Sequence, residues 1–265
     1  MGRFVAALKR SYLPLVGLAV GFAVWETIGR LELSPAFPPL TDVFKACVDV
    51  WTSERFLNNL KDSLVSVALA LPPSLVFGLL IGLLVGRYRI VEWSLDLFIN
   101  AFLSIPLVAL IPVLVLIFGL GRGSILATIA IYTFFGVVVN TSAGVKTADG
   151  NLVEMATSFG ATERQIVRRI VIPAAMPLAL AGVRIATGRA IKGVIIAEQV
   201  IGLIGLGGMI QRLGGAFAVE ELYAVVLFVG LLGLVSMEFV RWGERAAMPW
   251  MRGRLDGGLG EEPVG

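Results

Sequence analysis

Residues 154–173 read EMATSFGATERQIVRRIVIP. The stretch predicts two short helices with a turn between them. Asn151 is placed to cap the first, with Glu154 three residues on. Thr162 and Gln165 form a capping box for the second, in which hydroxyl and amide satisfy orphan backbone N–H groups. Between the two, Gly160 permits a left-handed turn that a side chain would resist. Val153, Met155, Phe159, Ile166, Val167 and Ile170 supply apolar contact, while Glu163, Arg164, Arg168 and Arg169 stay in water. Two readings fit such a helix–turn–helix. It is a docking element that presents apolar residues to a partner, or it is an amphipathic loop lying on a membrane surface and anchored by its arginines.

The flanking sequence puts this loop in a membrane protein. Hydrophobic residues make up 57% of the 265-residue chain and charged ones 15%, against about 45–50% and 25% in soluble domains. A mean hydropathy of +0.88 is more than one soluble core can bury. Before the loop, Gly123–Val145 is an uncharged run of 23 residues, and Ser63–Gly86 and Leu97–Leu120 are runs of 24. Each exceeds the ~20 helical residues that cross ~30 Å of hydrocarbon. Ser11–Trp25 and the 16-residue run Leu222–Met237 add a first and a last span. The segment after the loop, about Met176 to Ala197, is interrupted by Arg184, Arg189 and Lys192, so hydropathy alone leaves five or six spans.

Basic residues choose six. Six spans place thirteen Lys and Arg on the side of the termini, the 2–3 loop and the 4–5 loop, against six on the other. That asymmetry predicts cytoplasmic termini; five spans would split the termini and lose part of it. The expected division is a cytoplasmic N-terminus 1–10, a single transmembrane domain 11–251 and a disordered cytoplasmic tail 252–265. Within the domain the spans fall at about 11–29, 63–86, 97–120, 123–145, 176–198 and 221–241, with the loop at 146–173. Basic Met1–Arg10 before an apolar stretch also resembles a signal peptide, but no small-residue cleavage site precedes Trp25-Glu26. Pro72 and Pro73 in the second span, and Pro106 and Pro112 in the third, are either simple kinks or kinks that line a pathway.

Charges inside a membrane cost several kcal/mol and mark candidate functional sites. Arg184 lies near the start of the fifth span and can snorkel to the surface. Arg189 and Lys192, three apart, share one deeper face. They form a positive surface for an organic or inorganic anion, or they sit in structural ion pairs or carbonyl contacts of the interior. Glu26 and Glu198 are expected at the outer surface as interfacial carboxylates. Between Gln199 and Gly215 six glycines break an apolar stretch, which predicts a re-entrant or gate-forming segment shielded from lipid. One cysteine and no histidine rule out the usual zinc sets. The basic residues form no stripe suited to nucleic acid.

The loop resembles the signature of bacterial ABC-importer permeases: Glu-Ala-Ala, Gly six residues after the Glu, then Ile-x-Leu-Pro. Glu154, Ala156, Gly160, Ile170 and Pro173 fall in register, with Met155 and Ile172 as apolar departures. The resemblance extends over most of the chain to the branch that imports nitrate, sulfonates and taurine. Trp25-Glu26, Phe37-Pro38-Pro39, Ile105-Pro106-Leu107, Phe118-Gly119-Leu120-Gly121, Gly182-Val183-Arg184, Ala197-Glu198 and Gly205-Leu206-Gly207 carry it. It implies an all-α type I importer fold of about six transmembrane helices in the bacterial inner membrane. It further implies a second permease copy, two cytoplasmic ABC ATPases and an extracytoplasmic binding protein. Residues Glu154 to Arg169 would be coupling helices, with Phe159, Ala161, Thr162 and Arg164 among the residues that meet the ATPase. No GxxxxGK[ST] motif occurs, so ATP and magnesium belong to the partner and this chain holds no cofactor. An ion-gradient-driven transporter is the alternative, although no inverted repeat supports it. The cargo remains open among a sulfonate, nitrate, an aromatic carboxylate and a vitamin precursor such as a pyrimidine.

Overall fold

Gly78, Gly82 and Gly86 stand one turn apart on one helical face, and a neighbouring helix packs into the gap they leave. A Cβ on Gly78 would meet Val137 Cβ at 2.9 Å, and one on Gly82 would meet Thr141 Cβ at 2.6 Å. This small-xxx-small stripe lets two backbones approach where no hydrophobic force acts between helices in lipid. The computed structural model describes residues 2–32 and 34–247. Their helices are α1 (Gly2–Arg30), α2 (Leu40–Thr52), α3 (Glu54–Arg87), α4 (Arg89–Ser104), α5 (Leu107–Phe118) and α6 (Arg122–Val145). After these come α7 (Gly150–Ser158), α8 (Glu163–Ile166), a π-helical turn Val167–Val171, α9 (Ile172–Ile201), α10 (Gly205–Gly215) and α11 (Val219–Ala247).

Because Gly78 meets Val137 and Gly86 meets Val145, α3 and α6 run parallel. Arg122 at the start of α6 accordingly pairs with Asp62 on α3, 2.6 Å away. The chain between Arg87 and Arg122 must therefore return the full length of the bundle. It does so as α4 and α5, bent by 106° at the break between them. The expected third span, 97–120, is thus broken at a proline, far more sharply than a simple kink. Pro106 is the reason: it offers no N–H and holds Ile105 in extended backbone, φ −73° and ψ 127°. Pro72 and Pro73, by contrast, are accommodated inside the 34-residue α3.

α9 runs antiparallel to α6. Gly182 packs on Asn140, and Gly144 on Ala175. With α8 and the π turn it forms one helical run of 39 residues, Glu163–Ile201. The π turn lies just before Pro173, which lacks the N–H that an α-helical ladder needs there. Among the described residues α3, α6, Glu163–Ile201 and Val219–Glu244 are long and apolar enough to cross a membrane, and the α4–α5 pair makes a fifth candidate. The expected first span lies within α1, and the expected tail 252–265 lies outside the described residues.

The expected linker after the first span contains α2, an amphipathic helix that buries Leu40, Val43, Cys47 and Val50. Trp25 Nε1 donates to the Pro38 carbonyl at 3.1 Å. Glu26, expected as an interfacial carboxylate, accepts from both N–H and hydroxyl of Thr41 at 3.0 Å and so satisfies the first turn of α2. One apolar core joins α2, α3, α6, α9, α10 and α11 at the end of the bundle away from the 146–173 loop, around Val43, Phe56, Ile129, Val194, Leu206 and Val225. A smaller one, Val145, Ile166, Val171 and Ala175, lies directly under the loop.

Candidate functional site

The loop folds as its turn chemistry requires, with one change at the start. Asp149, not Asn151, is the N-cap of α7; its side chain accepts from the Asn151 N–H at 2.9 Å. An Asp at this position also complements the positive end of the helix. At the other end Gly160 takes φ +77°. Ala161 N–H donates to Ala156 C=O and Gly160 N–H to Thr157 C=O, both at 2.9 Å. These are the two bonds of a Schellman turn, and Ala156 and Ala161 pack together on the loop core as that turn demands. The Thr162–Gln165 capping box forms as expected.

The apolar residues of the loop divide into two sets. Val153, Ala156, Ala161 and Ile166 face the bundle and seal against Val145, Val171 and Ala175. The second set faces outward. Phe159 is 86% exposed, and Leu152 and Met155 stand out beside it. Glu154, Arg164, Arg168 and Arg169 are exposed around this knob; Thr162 is exposed, Ile170 is half-buried and Pro173 opens α9. Two ion pairs brace the loop from behind. Arg87 binds Glu163 in a two-pronged contact, Nε–Oε1 2.8 Å and Nη2–Oε2 2.9 Å, and the guanidinium holds the Glu163 carboxyl below the usual carboxylate range. Lys146 Nζ lies 2.6 Å from Glu92 Oε1 on α4.

The charges on α9 have separate fates. Arg184 pairs with Glu244 of α11 at 3.0 Å. Arg189 lies over the Tyr132 ring, 5.7 Å from its centroid, and its Nη1 fills the space beside Gly136. Neither Arg189 nor Lys192 has a carboxylate within ion-pair distance among the described residues. Both line a cavity of about 650 Å³ between α9 and α11. Arg189 also reaches a second cavity of about 270 Å³ at the α4–α5 elbow, beside Leu103, Ile105 and Leu107. A larger groove of about 890 Å³ between α3, α4, α5 and α6 is lined by apolar residues such as Leu69, Phe77 and Phe134 and holds no charge.

Glu198 departs furthest from expectation. It is 0% exposed, enclosed among the residues of the main core. Its Oε2 accepts from Ser63 Oγ at 2.8 Å and from Gly207 N–H at 3.0 Å, while Ser63 Oγ accepts from Leu206 N–H at 2.9 Å. Ile204, the residue at the N-cap of α10, has no side-chain acceptor. Residues from α3 and α9 thus supply the cap that α10 cannot supply for itself. The glycine-rich stretch, expected as a re-entrant or gate-forming segment, contains an ordered helix with Gly205, Leu206, Gly207, Gly208, Met209 and Ile210 buried.

The pattern of the family described as "Binding-protein-dependent transport system inner membrane component" matches residues 74–253, and the chain belongs to that family. It is a membrane translocation subunit, a permease of the ABC-importer class. The taurine transport system permease protein of Escherichia coli is 30% identical over 251 residues, covering 92% of this chain and 91% of that protein. The formylaminopyrimidine transport permease protein of Halalkalibacterium halodurans is 29% identical over 249 residues, covering 92% and 99%. In three dimensions the chain is similar to one of a bacterial ABC transporter involved in the import of the acidic polysaccharide alginate. The TM-score is 0.64 at 18% identity, with 92% of this chain and 99% of that one covered. A chain of an amino acid ABC transporter gives a TM-score of 0.62 at 20% identity, covering 75% and 97%.

Proposed function

We propose that this permease forms the pathway through which a small anion, such as a sulfonate, nitrate or carboxylate, is imported at the expense of ATP hydrolysed by partner subunits. The observation that carries this reading is the braced knob of α7 and α8. Leu152, Met155 and Phe159 are exposed there on a loop whose other apolar face is sealed and whose rear is held by two ion pairs. Large apolar side chains held outward on a rigid support are suited to a protein groove. In this reading two ABC ATPases, which bind the ATP and magnesium, receive the loop through Glu154, Ala156, Phe159, Gly160, Ala161, Thr162 and Arg164. Ile170 and Pro173 carry the movement into α9.

The loop then lies in the cytoplasm with both termini, and α1, α3, α4–α5, α6, α9 and α11 make six crossings of the inner membrane. A second copy of the permease completes the pathway, and an extracytoplasmic binding protein delivers cargo to the opposite face. Arg189 and Lys192, cationic and without an ion-pair partner among the described residues, stand beside two cavities and favour an anion. The formylaminopyrimidine relative favours a second reading, import of a pyrimidine-like vitamin precursor. Reconstituted complex challenged with taurine, an alkanesulfonate, nitrate, benzoate and formylaminopyrimidine separates the two. Uptake of the anions supports the first reading, and uptake of the pyrimidine alone overturns it.

A further inference from the structure

Lys192 and Gln199, seven residues apart, share one face of α9 towards its C-terminal end, and Leu203 follows in the turn before α10, beyond the left-handed Gly202 that ends the helix. Leu203 is exposed at the tip of that turn. The turn is tight: Gly202 and Gly205 take φ +72° and +76°. Three contacts pin it. Arg212 Nη1 donates to the Gly202 and Leu203 carbonyls at 3.1 and 3.3 Å. Ser63 and Glu198 cap α10 as described above. A Cβ on Gly205 would overlap the Glu198 carboxyl group, and one on Gly207 would meet Glu198 Cβ at 2.6 Å. The glycines of α10 thus leave room for the acid.

A buried carboxylate is an expensive way to hold a helix. Its second oxygen, Oε1, has no hydrogen-bond partner among the described residues, and an unsatisfied buried oxygen costs about 1–3 kcal/mol. A leucine would fill the space and pack the core at no such cost. A hydrogen-bonded latch differs from apolar packing in being directional: it is fully made in one position of α10 and fully broken a short distance away.

We propose that Glu198 is a positioning residue that latches the α10 turn, with Leu203 at its tip, closed over the end of the pathway opposite the 146–173 loop. The inference rests on the assignment of the α9 face to the pathway. In the resting state Glu198 and Ser63 hold the Leu206 and Gly207 N–H groups. When the path opens at this end, α10 moves as a unit away from α9 and releases them. The latch therefore biases the equilibrium between closed and open states, and weakening it raises the open population.

The test uses the full chain, alone and with its ATPase, in lipid nanodiscs. Amide exchange is followed over 202–215, and Mg-ATP hydrolysis is followed with no binding protein present. Glu198→Gln places an amide oxygen where Oε2 now accepts both bonds, so exchange and hydrolysis stay within about twofold of the unaltered protein. Glu198→Ala frees the Gly207 N–H and removes the acceptor that orients the Ser63 hydroxyl, so Gly207 exchanges about tenfold faster or more and Leu206 by less, and hydrolysis without the binding protein rises several-fold. Ser63→Ala removes half of the cap and moves both readings the same way by less; it carries the test if Glu198→Ala does not assemble. Unchanged exchange in the alanine variants overturns the latch. Faster exchange with unchanged or lower hydrolysis leaves Glu198 as packing only and overturns the gate. An unaltered chain that captures no ATPase counts against the docking assignment instead, while the exchange arm still tests the latch.

Discussion

Arg87, at the last turn of α3, holds Glu163, at the first turn of α8, through two parallel hydrogen bonds of 2.8 and 2.9 Å across 76 residues of sequence. The pair is half in water, Glu163 being 48% exposed and Arg87 27%, so its contribution to stability is small. Its geometry sets the angle at which the loop leaves the bundle.

Reversing either charge alone, Arg87→Glu or Glu163→Arg, is expected to leave the melting temperature within a few degrees and to cut ATP-driven uptake several-fold. The double exchange, Arg87→Glu with Glu163→Arg, restores much of that uptake. Uptake that stays low in the double variant shows that the residues act separately.

Phe159→Ala removes a side chain that touches little of its own chain. Membrane insertion and thermal stability are expected to be unchanged, with ATPase recovery in pull-down reduced at least tenfold if Phe159 is an anchor worth more than about 1.4 kcal/mol. Equal recovery removes Phe159 from the docking surface.

Gly160→Val tests the turn itself. Nothing lies within 4 Å of a Cβ built there, so the whole cost is the positive φ, roughly 1–2 kcal/mol or more for a β-branched residue. Docking and uptake are expected to fall while the protein still inserts. Gly160→Asn, which tolerates this backbone, retains more of both. The same loss in both variants points to a contact at Gly160 and away from its conformation.

Lys192→Met and Arg184→Met should differ in kind. Lys192 has no described carboxylate beside it, so its loss lowers uptake of an anion several-fold and leaves the melting temperature unchanged. Arg184→Met leaves Glu244, 11% exposed, without its partner, and destabilises the assembly by a few kcal/mol. A fall in melting temperature for Lys192→Met that matches the loss of uptake sinks its pathway role.

Much of the loop was legible in its residues, because caps and turns are made by neighbours in sequence. Thr162 bonds a residue three away, and Gly160 needs nothing but its own missing side chain. The shift of the cap from Asn151 to Asp149 is a local competition that Asp wins at a helix start. The packing of α3 on α6 also left a signal, glycines at 78, 82 and 86, although their spacing says only that some helix comes close and not which one.

The amino-acid sequence by itself determined that the chain is a bundle of membrane helices, where most of its apolar runs lie, and the turn chemistry of the 146–173 loop. These follow from composition and from interactions over a few residues. Only the tertiary structure decided what each polar group among the spans meets. Arg184 found Glu244 60 positions away, Arg189 and Lys192 found cavities, and Glu198 met Ser63 across 135 positions. The energy of a charge within a bundle depends on which helices converge around it, and that convergence is a long-range property that no local pattern encodes.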